Sequence, residues 1–457
     1  MAYEDNGGYR RQGQTVSLIR MPSVMKDLSR RSVLQALAGA GAAGLLPRPA
    51  QAKPVRTAAH IVIAGAGAAG ISMASNLLKR LDGARITVID AKRQHHFQPG
   101  YTLVAAGLWQ PSQVVASNGD YLPRGVTWIN EAVAEFDPEG SRVVTASGQA
   151  VAYDWLVVAT GLTLDYQAIA GMDQSLIGRD GIASIYAGPE AARASYEVMA
   201  AFAGKGGVGL FNRPETEMKC AGAPLKFTFL TEDKLRLIGN RPKAELVYNT
   251  PFSNLFSVVP VHHKVEALFT RRNIGFNYKH TLRAIEPGRK IAIYDTPEGA
   301  GEMAYDMIHV VPPQRAPEPV RQSALRWQAG PLAADGWVEV DKATLRHPRF
   351  PNVFAVGDVA GVPRGKTAAS VKWQVPVAAD NITALIAGQE MEAVYNGYTS
   401  CPMVSGYGRA MLVEFDYAGN LTPSFPFIDP LRELWVSWAI EEKALKPTYF
   451  AMLRGFG

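Results

Sequence analysis

With 457 residues, 47% hydrophobic and 19% charged, the chain has length for two or three packed domains and a globular composition that excludes a disordered or fibrous protein. The formal charge of +6 is no argument for a nucleic-acid partner, because residues 1–52 hold +4 of it and leave +2 on the remainder. Two cysteines 181 residues apart, Cys220 and Cys401, exclude a small disulfide framework and permit one long-range bridge, structural or redox-active.

In chain order, Ser29-Arg30-Arg31-Ser32-Val33-Leu34 precedes a Gly/Ala-rich apolar run, Ala36 to Leu46, and Ala50-Gln51-Ala52 follows. Paired arginines, a weakly hydrophobic segment and a small-residue cleavage pattern predict a twin-arginine signal over 1–52. The run is too short and glycine-rich to span a bilayer well, so cleavage is expected rather than a retained anchor. The expectation is a periplasmic protein, exported folded and lying on the outer face of the cytoplasmic membrane. No other stretch approaches 18 continuous apolar residues, so no transmembrane helix is predicted.

His60–Ala64 reads as a buried strand. Gly65-Ala66-Gly67-Ala68-Ala69-Gly70 follows, then a helical pattern from Ile71 to Arg80 and a second strand, Arg85–Ile89, ending at Asp90. The glycines admit a pyrophosphate to the helix N-terminus, and the acid at the end of the second strand suits ribose hydroxyls. This pattern binds a dinucleotide without distinguishing FAD from NAD. Two later strands end in Ala159-Thr160-Gly161 and in Gly357-Asp358. Together they resemble the further signatures of the flavoproteins with two dinucleotide-binding domains. That resemblance implies FAD, with Asp358 near the ribityl and pyrophosphate region. It also implies a helix starting near Lys366-Thr367-Ala368 whose N-terminus faces the flavin N1/O2 edge.

The region where relatives insert an NADH unit, 171–309, keeps a strand at Gly207–Phe211 but no GxGxxG after it. Asn212-Arg213-Pro214 stands there instead, followed by Lys219-Cys220-Ala221-Gly222-Ala223-Pro224. The next strand, Ala244–Tyr248, ends in Asn249-Thr250 with no acid for a ribose, which argues against a pyridine-nucleotide enzyme.

Cys220-Ala221-Gly222-Ala223-Pro224-Leu225-Lys226 and Gly397-Tyr398-Thr399-Ser400-Cys401-Pro402-Met403-Val404-Ser405-Gly406-Tyr407 resemble the sulfide:quinone oxidoreductases of the mitochondrial (type II) subgroup. Lys366-Thr367-Ala368-Ala369 and Leu412–Tyr417 resemble the same family. The likeness covers nearly all of 58–457. It implies a redox-active pair on the flavin face, with Cys220 nearer the flavin and Cys401 taking sulfur from sulfide as a persulfide. It also implies cofactor contacts from Ala68, Ala69, Asp90, Gln98, Val133, Asp358 and Lys366. The implied partners are sulfide, a sulfur-accepting nucleophile, membrane quinone and a membrane surface, with no nucleic acid; a homo-oligomer is compatible with them. Val359, where some relatives carry cysteine, leaves no third thiol. The alternatives are a flavin subunit passing electrons to a cytochrome c, or a non-enzymatic redox-sensing flavoprotein.

The expected fold is α/β. Residues 53–170 and 310–390 form a discontinuous FAD domain, 171–309 a second Rossmann-like domain without an NAD motif, and 391–457 a C-terminal region carrying Cys401. Lys226, close to Cys220 in sequence, is the candidate cation for a thiolate, the alternative being an ordinary surface lysine. His262-His263 suggest a metal or a base, but adjacent side chains should point apart, so no metal site is expected. Leu431, Leu434, Trp435, Trp438 and Leu445, with Tyr449 to Phe456 beyond, form an aromatic amphipathic pattern. It reads as a membrane- and quinone-facing end, against the alternative of a core-packing helix pair.

Overall fold

Continuous apolar strands need cover on both faces, and the chain supplies it by building two parallel sheets with helices around them. A computed structural model describes residues 53–456; the signal predicted over 1–52 lies outside the described residues. The first sheet begins with β1 (His60–Ala64), whose Ile61 to Ala64 are fully buried, and continues through α1 (Ala68–Arg80) to β2 (Arg85–Ile89). β3 (Val126–Ile129) and β4 (Trp155–Val158) extend it. The chain then enters the second sheet: β5 (Ile182–Ala183), β6 (Gly207–Asn212), β7 (Ala244–Thr250), β8 (Gly275–Tyr278) and β9 (Met307–His309). It returns with β10 (Val353–Ala355), which pairs in parallel with β4.

The strand orders are β10-β4-β1-β2-β3 and β5-β9-β6-β7-β8. Every neighbouring pair is parallel. Each sheet is therefore doubly wound, and the first is completed by a strand from beyond the second. Ligands on such sheets sit outside the carboxyl ends of the strands. Those ends carry Gly65, Asp90, Thr160 and Gly357 in the first sheet and Arg213 in the second.

Three further elements shape the site. α2 (Ala223–Leu237) follows the Cys220 loop, with Pro224 in its first turn. α4 (Ala368–Ile386) comes after α3 (Val259–Arg271) and begins where the sequence placed its start. A hairpin of β11 (Thr399–Gly406) and β12 (Arg409–Phe415) packs β11 on α2 and α4, and so carries Cys401 to the Cys220 loop.

The C-terminal segment packs part of its apolar face inward. α5 (Trp435–Ala439), a wider π turn (Ile440–Ala444) and α6 (Leu445–Leu453) run on from one another. Trp438, Tyr449, Met452 and Leu453 are buried. The end is pinned to α1: the hydroxyls of Ser72 and Ser75 donate to the Met452 and Leu453 carbonyls at 3.1 and 2.7 Å. Lys79 donates to the Arg454 and Gly455 carbonyls at 2.9 and 2.7 Å. The four buried residues of the stripe cover core surface, and for them the core-packing alternative holds, while Phe456 is 50% exposed. A helical period shows that a face is apolar without showing what covers it.

Candidate active site

The cofactor cradle is built where β1 turns into α1. Gly65 has φ +116°, and a Cβ there would meet the Ala159 carbonyl oxygen at 2.3 Å. A Cβ on Gly70 would meet the Gly65 carbonyl at 1.8 Å, so neither position accepts a side chain. Gly67, the N-cap of α1, instead faces open space with nothing within 4 Å. Ala68 and Ala69 open the helix behind it. Asp90 ties the loop to β2: its carboxylate accepts from the Ala66 amide at 2.6 Å and the Lys92 amide at 2.8 Å. The Thr160 hydroxyl beside Gly161, and the Gln374 amide nitrogen, are buried without a hydrogen-bond partner. An open backbone approach ringed by unsatisfied polar atoms fits a dinucleotide such as FAD.

Gly357 adopts φ +78°, its amide held by Gln374 at 2.7 Å. Burial raises the Asp358 carboxyl above its ordinary range, with Lys219 and Lys366 opposing the shift. Lys366 donates to the carbonyls of Asp358 and Ala360 at 2.7 and 3.2 Å and lies 3.6 Å over the Trp337 ring. It therefore braces the Gly-Asp turn. Thr367 caps α4, accepting from the Ser370 amide at 3.1 Å, and its hydroxyl meets that of Thr399 at 2.7 Å. That contact joins α4 to the Cys401 hairpin. Of the remaining expected cofactor residues, Gln98 is exposed at the start of a 3₁₀ turn and Val133 starts a strand, half-buried.

The structure brings the two cysteines together. Cys220 holds the left-handed conformation, φ 47°, which is uncommon for a residue with a side chain. Three hydrogen bonds over-determine it. Its amide donates to the Lys366 carbonyl at 2.9 Å, while its carbonyl accepts from the Ala223 amide at 2.8 Å and the Tyr186 hydroxyl at 3.0 Å. Cys401 is buried on β11. Gly222 makes the approach possible, because a Cβ there would lie 2.4 Å from Cys401 Sγ and 3.0 Å from Met403 Cε.

The pair sits in an asymmetric field. The hydrogen bond with Cys401 lowers the Cys220 pKa; burial opposes this and the Lys226 ammonium adds to it. The same hydrogen bond and burial push Cys401 up. Cys220, just ahead of the N-terminus of α2, is thus the natural thiolate. Lys226 is no surface lysine: it is 3% exposed, and its Nζ lies 3.5 Å from Glu441 Oε1, a carboxyl itself 2% exposed. Burial works against the Lys226 ammonium, but Glu441, Cys220 and Cys401 outweigh it and raise its pKa. Glu441 and Tyr186 were not singled out from the sequence. A signal for Glu441 existed: with Leu434, Trp438 and Leu445 it falls at helical spacing on the apolar face, where an acid is out of place.

His262 and His263 do not point apart. Their ring centroids lie 5.0 Å from one another on α3, and with Glu266 they offer ligand atoms all within 4.8 Å. Helical curvature brings neighbours closer than strand alternation does. Two of the three are already engaged, His262 accepting from the Leu255 amide at 3.3 Å and Glu266 from the Tyr278 hydroxyl at 2.8 Å.

Comparison with known proteins decides the family. Residues 59–194 match the pyridine nucleotide-disulphide oxidoreductase model. The chain is 34% identical to the mitochondrial sulfide:quinone oxidoreductase of Mus musculus, over 87% of each protein. The chain belongs to the sulfide:quinone oxidoreductase family. It is also 33% identical to the mitochondrial sulfide:quinone oxidoreductase of Dictyostelium discoideum, over 91% of each. Its fold matches the crystal structure of sulfide:quinone oxidoreductase from Aquifex aeolicus with a TM-score of 0.73 at 24% identity, covering 87% of this chain and 92% of that one. Members of the sulfide:quinone oxidoreductase family are FAD-dependent oxidoreductases, and the glycine cradle described above has the open backbone approach that a dinucleotide needs.

Proposed function

We propose that this chain oxidises sulfide to persulfide or polysulfide sulfur through Cys220 and Cys401 and passes the electrons to membrane quinone. The observation that carries the reading is the meeting of two cysteines 181 residues apart beside a buried lysine, one from a second unit that lacks a nucleotide motif and one from the C-terminal hairpin.

The chemistry follows from the field. In the oxidised enzyme the two sulfurs are bridged. Hydrosulfide attacks Cys401, a persulfide forms there, and Cys220 leaves as the thiolate that its surroundings favour. FAD bound at the glycine cradle would supply a two-electron acceptor for the cysteine pair, so that the Cys220–Cys401 bridge re-forms once the extra sulfur has left. The protein's part is to hold Cys220 in its constrained turn, keep Lys226 charged beside it, and exclude water by burying Cys401. An anionic or thiol nucleophile then removes the extra sulfur. Division of labour follows the chain: 53–170 and 310–390 hold FAD, 171–309 carries Cys220 and 391–457 carries Cys401. The Arg30-Arg31 signal supports twin-arginine export and a place on the outer face of the cytoplasmic membrane.

For membrane contact, a second patch is better exposed than the C-terminal helices. Trp373 and Phe427 are 52% and 76% exposed. The Trp373 ring lies 5.2 Å from Tyr398, whose hydroxyl meets Ser424 at 3.1 Å, and the Phe425 and Phe427 rings are 5.9 Å apart. The patch lies beside the N-terminal half of α4, where a quinone would approach the flavin edge. Among the described residues no helix is long and apolar enough to cross a membrane. The test is sulfide-dependent decylubiquinone reduction by wild type, Cys220→Ser and Cys401→Ser; activity in both variants would sink the proposal.

A further inference from the structure

We infer that Glu441 is the proton-holding partner of the cysteine pair: it neutralises Lys226 while the cysteines are bridged, and takes a proton when a thiolate forms on Cys220, leaving the ammonium to the sulfur. This deepens the reading of a sulfide-oxidising cysteine pair and rests on it.

Three observations carry it. Glu441 lies in the π turn Ile440–Ala444, between the α-helical turns on either side. Such widened turns recur at functional positions, because they are less well bonded than an α-helix. Its carboxyl is split in use. Oε1 faces Lys226 Nζ at 3.5 Å, while Oε2 is fully buried without a partner. A permanently ionised carboxylate would normally have both oxygens bonded, whereas a carboxyl that gains and loses a proton needs one oxygen available. Finally, the ionisable groups that share its field are those of the reaction. They are Lys226 from α2, Cys220 from the loop before it, and Cys401 from β11.

Charge conservation then decides the step. With the cysteines bridged, Lys226 and Glu441 form a neutral buried pair. Attack by hydrosulfide breaks the Cys220–Cys401 bond and forms a sulfur–sulfur bond to Cys401. The sulfide sulfur is oxidised, the disulfide is reduced by two electrons, and one negative charge appears on Cys220. Two anions would now share one ammonium in a water-poor site, which is unfavourable. Substrate arriving as H₂S brings the remedy: one of its protons passes to Glu441, the other remains on the persulfide, and the site ends with its original net charge. Burial holds the Glu441 carboxyl above its ordinary pKa, which favours this uptake.

The test uses the FAD-loaded protein and two readouts. In a Cys401→Ser background, the pH midpoint for alkylation of Cys220 by iodoacetamide is compared with and without Glu441→Gln. Removing a carboxylate that competes for Lys226 should lower the midpoint by about one pH unit. In the two-cysteine protein, Glu441→Gln should slow flavin bleaching by sulfide by ~10²-fold, as expected for loss of a positioned proton acceptor. Glu441→Asp, with FAD occupancy checked in each variant, should restore both and so separates the carboxylate from folding. An unchanged or raised midpoint, or an unchanged bleaching rate in Glu441→Gln, overturns the inference. Failure of the wild type itself to bleach with sulfide overturns the functional reading instead, and the alkylation midpoint still reports whether Glu441 competes for Lys226.

Discussion

At the scale of single residues, the site depends on close approach. Gly222→Ala would place a methyl group 2.4 Å from Cys401 Sγ and 3.0 Å from Met403 Cε, both on buried side chains. We expect it to fold with a loss of ~1–3 kcal/mol and to lose the Cys220–Cys401 contact. Mass spectrometry after air oxidation should find wild type bridged and the variant with free thiols. Lys226→Met removes one member of a buried pair and leaves Glu441 uncompensated, which should destabilise by ~3–5 kcal/mol in urea titration. The cysteines were legible in the sequence because each lies in a distinctive motif. Glu441 was harder to see: its partner Lys226 is 215 residues away, and only the fold reveals that pairing.

Elements show a different limit. The β1-loop-α1 unit was readable because backbone geometry demands glycine at Gly65 and Gly70. The start of α4 was readable from the flavoprotein resemblance, and the structure supplies the physical reason: the Thr367 side chain caps the helix. The C-terminal stripe carried two readings because apolar periodicity is the same against a core as against lipid. The burial of Trp438, Tyr449, Met452 and Leu453 gives the core reading measurable consequences. Leu453→Ala, at a fully buried position, should cost ~2–5 kcal/mol and lower Tm while leaving liposome binding of the folded fraction unchanged. Paired Trp373→Ser and Phe427→Ser should leave Tm within a degree or two and weaken flotation with anionic liposomes. Equal flotation of that pair and wild type would remove the patch from the account.

The whole molecule is two doubly wound sheets of which one keeps its nucleotide motif. The retained pattern of β6 to β9 made the second unit visible, and the missing glycines and acid showed that its chemistry had changed. Which groups replaced the nucleotide could not be read, because they come from the Cys220 loop, the β11–β12 hairpin and the C-terminal segment together. Buried histidines add a global pH dependence. Burial lowers the pKa of His309 to about 3 and that of His347 to about 4. In the unfolded chain both take up protons near pH 6.5, so between these values the unfolded state binds more protons. Stability should therefore fall as pH drops below about 6.5, and urea midpoints at pH 7.5 and 5 will show it.

The most direct test of the central claim is anaerobic stopped-flow mixing of FAD-loaded protein with sulfide, followed by decylubiquinone. Wild type should bleach its flavin on sulfide addition and recover its colour with quinone, while Cys220→Ser and Cys401→Ser should each fail to bleach. Bleaching in both variants at the wild-type rate would contradict a cysteine-pair mechanism.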